Sequence, residues 1–277
     1  MTTPDFTLTA EAASSQQRMV SRRELEARVA RTKTSGLVGV GGASFDAEGV
    51  TLYRCDCMEL MRRCPDKAFD LAIVDPPYGI GQDVCHTGTK RLKGPMWDAA
   101  IPPLEYFDEL RRVSCEQIIW GGNYFPLPLS RGWIVWDKRP MPPSYASCEL
   151  AWTSYDRNAA TWSGKTGDDV AVVDRIHPTQ KPVKLYAWLL ANYAAPGMNV
   201  LDTHLGSGGI AIAARNAGCT LTGCEIDAGY LREAIARITR DFAQGFLSLG
   251  GGGAELGDEN RGTKSAAQTA NQTISEP

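Results

Sequence analysis

Through the middle of the chain, short aliphatic runs alternate with stretches whose apolar residues recur every three or four positions. Seven runs have strand length and composition: "VTLYRC" (50–55), "FDLAIV" (69–74), "EQIIW" (116–120), "GWIVW" (132–136), "LAWTS" (150–154), "MNVLD" (198–202) and "CTLTGCEI" (219–226). Helical spacing marks "CMELMRR", "PLEYFDELRRV", "PVKLYAWLLANYA", "GGIAIAARNAG" and "AGYLREAIARITRDFAQ". Strands separated by helices predict an α/β fold, with a Rossmann-like, doubly wound and mostly parallel sheet covered on both faces. One interval breaks the alternation. Between "GWIVW" and "LAWTS" the segment "DKRPMPPSYAS" has no helical pattern, which predicts an antiparallel hairpin at one edge of the sheet.

The pattern fades at both ends. Residues 1–35 are polar, with one helix candidate, "SRRELEARVARTK", in which Ser21 and Glu24 have capping-box spacing. Residues 246–277 are rich in glycine, polar and charged residues with almost nothing to bury, so disorder is expected there. One folded domain is expected over residues 36–245.

Composition narrows the classes. With 277 residues, 43% hydrophobic and 22% charged, the chain can bury one large core. A formal net charge of -3 gives no global positive field for nucleic acid, so any such partner needs a local basic groove. No stretch approaches the roughly 20 consecutive apolar residues that span a bilayer, and the first residues lack the order of a secretion signal. A cytoplasmic protein without a membrane partner is expected. The eight cysteines (Cys55, Cys57, Cys64, Cys85, Cys115, Cys148, Cys219 and Cys224) form no CxxC pair, as fits reduced, packed thiols. Cys55, Cys57 and His86 lack the spacing of a zinc knuckle, and no metal is expected.

In open α/β sheets, ligands sit beyond the carboxyl ends of strands, and two such ends carry chemistry. The first is "NVLDTHLGSGGIAIAARNAGCTLTGCEID". A strand ends in Asp202, a turn follows at Gly206, Ser207, Gly208 and Gly209, and the next strand ends at Glu225. Glycines let backbone approach a ligand, and the second acid can accept hydrogen bonds from ribose hydroxyls. That describes a nucleoside site without naming the nucleoside. Gly206, Gly208 and Ala211 satisfy the dinucleotide fingerprint, while Asp202 makes the same stretch the D-x-x-x-G-x-G of an S-adenosylmethionine site. A helix packed closely on a strand through small residues is the plain alternative.

The second end is "IVDPPYGIG", where Asp75, Pro76, Pro77 and Tyr78 follow "FDLAIV". Neither proline carries an N–H and both favour extended backbone, so the loop offers carbonyls and a carboxylate but few donors. Such a rim suits an exocyclic amine, whose two N–H groups need acceptors. With Asp75 and the Pro76 carbonyl taking them, the nitrogen can pyramidalise and aim its lone pair at an electrophile. Tyr78 offers a stacking face for the ring, and a base in a duplex would have to flip out to reach it. A proline-rich turn is the alternative.

Together these elements resemble the amino-group DNA methyltransferases that use S-adenosylmethionine, in their permuted β class, where the D-P-P-Y loop precedes the cofactor loop. The likeness covers about residues 50 to 243 and includes "HPTQKPVKLYAWLL" running into "VLDTHLGSGGIAIAA"; "IIWGGNYF" and "DTHLGSGG" look most like phage or prophage members. It implies a class I methyltransferase fold with a seven-stranded sheet, S-adenosylmethionine as cofactor, and double-stranded DNA as partner, with a homodimer a familiar state among relatives. It also implies that Asp75, Pro76, Pro77 and Tyr78 hold the target amine and base. Asp202, Gly206, Ser207 and Gly208 would cradle the methionine part of the cofactor, with Glu225 on its ribose and Asp56 beside its adenine. Thr179 and Lys181, within "HPTQKP", would reach the cofactor's carboxylate end, and Asp75 faces the cofactor as well. Asp56 reads equally as a helix N-cap, and His177 as an ordinary packed histidine.

Where the family has Pro-Phe after the cofactor-loop acid, this chain has Thr203-His204, so His204 is the expected ring against the cofactor. No long target-recognition insert is visible. The short candidates are "GQDVCHTGTKRLKGPMWD", "DKRPMPPSYAS" and "RNAATWSGKTGDDVAVVDR"; in the first, Lys90, Arg91 and Lys93 form a candidate phosphate-contact loop or a solvated cluster. Gly121 to Asn123 end a strand on the active edge and are expected to support the pocket.

The resemblance implies direct methyl transfer with no role for a cysteine, and Asp at the first loop position favours adenine N6 over cytosine N4. Methylation of protein or RNA amines fits the loop residue and motif order less well. A nicotinamide oxidoreductase leaves "DPPY" and "HPTQKP" unused, and an inactive DNA-binding relative finds no support in the intact catalytic residues.

Overall fold

In the computed structural model, which describes residues 42–81, 98–140, 146–164, 176 and 179–250 with side chains up to residue 244, each of the seven aliphatic runs is a strand. They are β2 (Val50–Tyr53), β3 (Phe69–Val74), β4 (Ser114–Trp120), β5 (Trp133–Asp137), β6 (Cys148–Thr153), β8 (Asn199–Asp202) and β9 (Thr220–Cys224). Two short strands join them, β1 (Phe45–Ala47) and β7 (Ala160–Ser163), so the sheet has nine strands rather than seven. Both additions alternate half-buried with exposed positions, which left too little apolar content to mark them as runs. β1 folds back on β2 through Glu48 and Gly49, whose φ values of 54° and 78° are those of a two-residue hairpin turn.

The strand order is β1-β2-β9-β8-β3-β4-β6-β5-β7. From β2 to β4 all neighbours run parallel, and β6 pairs antiparallel with both β4 and β5. The predicted hairpin is therefore present, but it lies one strand in from the edge, because β7 pairs parallel with β5 outside it. Chain order and space diverge where β8 and β9, late in sequence, slot between β2 and β3.

The five helical stretches form α1 (Cys57–Arg63), α2 (Leu104–Val113), α3 (Val183–Tyr193), α4 (Gly209–Asn216) and α5 (Ala228–Gly250). All six residues of β3 are buried, as a central strand covered on both faces requires. Its alternation splits the core: Leu71 and Ile73 pack with Leu185, Leu189, Ile210 and Ile238 of α3, α4 and α5, whereas Ala72 and Val74 pack with Leu60, Tyr106, Phe107 and Leu110 of α1 and α2. No helix among the described residues is long and apolar enough to cross a membrane.

Leu71 is fully buried and Leu129 fully exposed. Leu71→Ala is expected to lower unfolding free energy by about 2–5 kcal/mol, and Leu129→Ala by less than about 0.5 kcal/mol, in chemical denaturation.

Candidate active site

Five parallel strands end on one edge, and each delivers a candidate residue there. Asp56 follows β2, Glu225 follows β9, Asp202 ends β8, Asp75 follows β3 and Gly121 follows β4. Since β8 and β3 are hydrogen-bonded neighbours, with Leu71 opposite Val200 and Ala72 opposite Leu201, the two loops meet side by side.

The loop after β3 has been emptied of donors. Pro76 and Pro77 have no N–H, and the next two, on Tyr78 and Gly79, donate to Oδ1 of the buried Asp98 at 2.7 and 2.9 Å. Gly81 donates to the Asp98 carbonyl at 3.1 Å. Asp75 is held from both sides: Oδ1 accepts from the Tyr78 hydroxyl at 2.6 Å, and Oδ2 from the Lys181 ammonium at 2.5 Å.

Lys181 is buried, and its ammonium also lies 3.1 Å from Glu149 Oε2, 3.4 Å from the Tyr78 oxygen and 5.0 Å from the centre of the Trp120 ring. Burial alone would lower its pKa, but the carboxylates of Asp75 and Glu149 outweigh that and raise it, so the side chain is a cation. Burial likewise raises the Glu149 carboxyl, and the ammoniums of Lys181 and Lys138 overcome this to hold it below its ordinary value. Tyr78 is pushed well above the ordinary phenol by burial and by Asp75, and stays a donor.

The Tyr78 ring lies on Gly121 and stacks on Tyr124, with centroids 5.2 Å apart and planes 17° from parallel. At Gly121, with φ at 70°, a Cβ would fall 2.2 Å from a ring carbon of Tyr78, so this position demands glycine twice over. The strand end at Gly121 thus lies directly under the Tyr78 ring.

On the cofactor side, Asp202 is buried and accepts one backbone hydrogen bond, from His204 at 2.9 Å. Burial pushes its carboxyl up to about 7; the His204 N–H opposes the rise, whereas Asp75 and Glu225 add to it. His204 is pulled down to about 4 by burial, against Asp75 and Asp56, so the imidazole is neutral. Its Nδ1 is 2.9 Å from the Thr203 hydroxyl, which is 2.7 Å from the Tyr106 hydroxyl, and Tyr106 meets the imidazole edge-on at 5.5 Å. A neutral, flat, fixed ring is what stands in the Phe position of the resembling family.

Gly206 and Gly208 have positive φ, and Gly206 N–H donates to Glu225 Oε2 at 3.0 Å. Burial raises the Glu225 carboxyl, whose other oxygen accepts from Asp227 N–H at 2.9 Å. Gly208 is glycine for packing too, since a Cβ there would come 2.8 Å from Ile238. Arg237 donates to the Ser207 carbonyl at 3.1 Å and to its hydroxyl at 3.3 Å. Asp56 is an N-cap, accepting from Met58 and Glu59 at 2.8 and 3.3 Å, on the same edge as the other acids. Thr179 stands two residues before Lys181. Lys90, Arg91, Lys93, His86 and His177 lie outside the described residues.

Sequence reasoning missed Glu149, Lys138, Asp98, Tyr106 and Tyr124. An acid inside the apolar run "CELAWT" was a signal for Glu149; Asp98 left none. The seven described cysteines are free thiols, and burial pushes Cys57 up to about 12 and Cys64 to about 11, which keeps both as unreactive thiols. No cluster of three or more potential metal ligands occurs among the described residues.

A buried carboxylate with one N–H partner and two further acids nearby is set up for a cationic ligand group, and the positive-φ glycines beside it leave room for ligand against backbone. Residues 129–236 match the profile of the N6/N4 methyltransferases, described as DNA methylase. The type II methyltransferase M.ScaI of Streptomyces caespitosus is 24% identical over 78% of this chain and 88% of its own length. The chain is thus similar to the N6/N4 DNA methyltransferases over residues 129–236 and, at about a quarter identity, to a type II methyltransferase. The putative methylase YubD of Escherichia coli (strain K12) is 25% identical over 69% of this chain and 92% of its own length. The structure called PvuII DNA methyltransferase (cytosine-N4-specific) shares the fold, with a TM-score of 0.53 and 12% identity over 74% of this chain and 95% of that one. Asp202 is suited to the cationic end of S-adenosylmethionine, the cofactor that the resemblance implies.

Two outcomes are expected. Gly121→Ala lowers stability by about 1–3 kcal/mol through left-handed strain and the displaced Tyr78 ring, measured by denaturant titration. Asp202 keeps in the fold a proton that the unfolded chain sheds near its ordinary 3.8, so ligand-free stability is lost as pH rises from about 4 to about 7. Asp202→Asn is therefore expected to melt above the wild type at pH 8 without ligand, to lose that advantage by pH 4, and to bind S-adenosylmethionine poorly.

Proposed function

We propose that this protein is an S-adenosylmethionine-dependent methyltransferase that modifies the exocyclic N6 amine of adenine in double-stranded DNA, with the base flipped out to reach Asp75. The observation that carries the reading is the loop after β3: Pro76 and Pro77 have no N–H and those of Tyr78 and Gly79 are tied to Asp98, so the loop's backbone offers carbonyls rather than donors beside Asp75. When bound, S-adenosylmethionine supplies a methyl group on a cationic sulfur, which leaves with the bonding electrons as the amine nitrogen takes the methyl and releases a proton.

The protein's work is positional. Asp75 and the Pro76 carbonyl accept the two amine hydrogens, which localises the nitrogen lone pair toward the cofactor. Tyr78, anchored through its hydroxyl, fixes one Asp75 oxygen, and the stacked pair with the exposed Tyr124 offers aromatic surface for the base. Asp202 and Glu225 would hold the methionine and ribose ends, and the neutral His204 would offer its ring to the cofactor. Catalysis rests on orientation and acceptor placement, with no protein nucleophile. The chain order, catalytic loop before cofactor loop, supports placing it in the permuted class.

Cytosine N4 is the second reading. It is favoured by the fold neighbour whose name specifies that base, and the two amines present the same donor chemistry; the Asp at position 75 favours adenine. Asp75→Ala is expected to cut methyl transfer to DNA by about a hundredfold or more while the protein stays folded. Nucleoside analysis of DNA methylated in vitro should yield N6-methyladenine; N4-methylcytosine would overturn the choice of base, and near wild-type transfer by the variant would overturn the site.

A further inference from the structure

We propose that Glu149, braced by Lys138, is a positioning residue that sets how firmly Lys181 grips Asp75, and through it how well Asp75 accepts hydrogen from the target amine. The inference rests on the amine-transfer reading given above. It concerns the hairpin, to which neither the sequence motifs nor that reading gave a task.

Because β6 runs antiparallel to β4, its beginning lies where β4 ends, and Glu149 enters the active edge from the hairpin. Glu149 pairs in register with Trp136 of β5. Lys138, just past β5, reaches Glu149 Oε1 at 2.9 Å while resting 5.3 Å from the centre of the Trp136 ring. The result is a chain of alternating charge: Lys138, Glu149, Lys181, Asp75. Lys181 is buried, with 2% of its side chain exposed, so water cannot share its charge. What Glu149 does not neutralise, Asp75 must.

That division matters for chemistry. A carboxylate wholly drawn to a buried ammonium has little electron density left for a neutral N–H donor, whereas one sharing that ammonium with a second carboxylate keeps more. Lys138, bonded to the other Glu149 oxygen, holds that carboxylate in place against Lys181. The groups facing Lys181 are Asp75 and Tyr78 from the loop after β3, Glu149 from β6, Trp120 from β4 and Asp202 from β8; Tyr186 of α3 senses Asp75, Glu149 and Asp202. Of these, Glu149 and Asp75 are the two carboxylates in ion-pair contact with it.

The test uses the full-length protein with Glu149→Gln and Lys138→Met. For Glu149→Gln the expected result is a dissociation constant for S-adenosylmethionine within about threefold of wild type and a kcat for DNA methylation at least about tenfold lower. A falling alkaline limb, absent from wild type, should appear in the kcat profile, because Lys181 with one counter-ion loses its proton more readily. Its melting deficit relative to wild type should also shrink between pH 7 and pH 10, since the cost of a poorly paired buried ammonium vanishes as it deprotonates. Wild-type kcat and pH profile would overturn the proposal, as would a loss of activity matched by an equal loss of cofactor affinity. If Glu149→Gln fails to fold, Lys138→Met decides: a several-fold lower kcat at unchanged cofactor affinity supports it, and wild-type kcat overturns it. A wild-type enzyme that methylates no DNA amine would sink the underlying function, and the inference with it; a melting deficit that persists at high pH would sink the inference alone.

Discussion

The pairing of β8 with β3 is the constraint on which the rest depends. Two residue pairs, Leu71 with Val200 and Ala72 with Leu201, align strands that are far apart in sequence. From that register Asp202 falls beside Ile73, two residues short of Asp75, and both acids emerge on one edge. A slip by one residue would turn each buried side chain of β8 to the other face and part the two loops. The buried alternation of Leu71, Ala72, Ile73 and Val74 between the two helical layers pins the register. Core packing thus fixes the spacing of the chemical groups.

The edge so assembled carries more negative than positive charge. Asp56, Asp75, Asp202 and Glu225 converge on it, with Lys181 as the buried counter-charge. The protein tolerates this unevenly. Asp75 is compensated by an ammonium and a phenol, while Asp202 has a single backbone N–H and a carboxyl near 7. The strained member is the one a cationic ligand would relieve, which links folding stability to ligand binding through one carboxylate.

Much of this was legible in the sequence. The seven aliphatic runs, the five helices and the hairpin follow from periodicity, because strand and helix patterns are local. The two strand-end motifs stood out because Pro-Pro and clustered glycines constrain backbone in ways ordinary sequence does not. What escaped was long-range or nearly patternless. β1 and β7 carry too few apolar residues to stand out. The two neighbours of Lys181, Asp75 and Glu149, lie 106 and 32 residues away (181 minus 75, 181 minus 149), a relation set by topology alone. Asp98 follows a tryptophan in an unremarkable loop and matters only because its carboxylate caps the N–H groups of Tyr78 and Gly79.

That clasp has an evolutionary side. Gly81 leaves the catalytic loop and Asp98 returns to it, and the two ends of the intervening segment are tied by the Gly81 hydrogen bond while Asp98 holds Tyr78 and Gly79. An insertion, deletion or exchange between them need not be transmitted to Asp75, since both anchors stay fastened to the loop that holds it. The position is a socket: what lies between the two anchors can change in length or sequence while the loop that carries Asp75 is left standing.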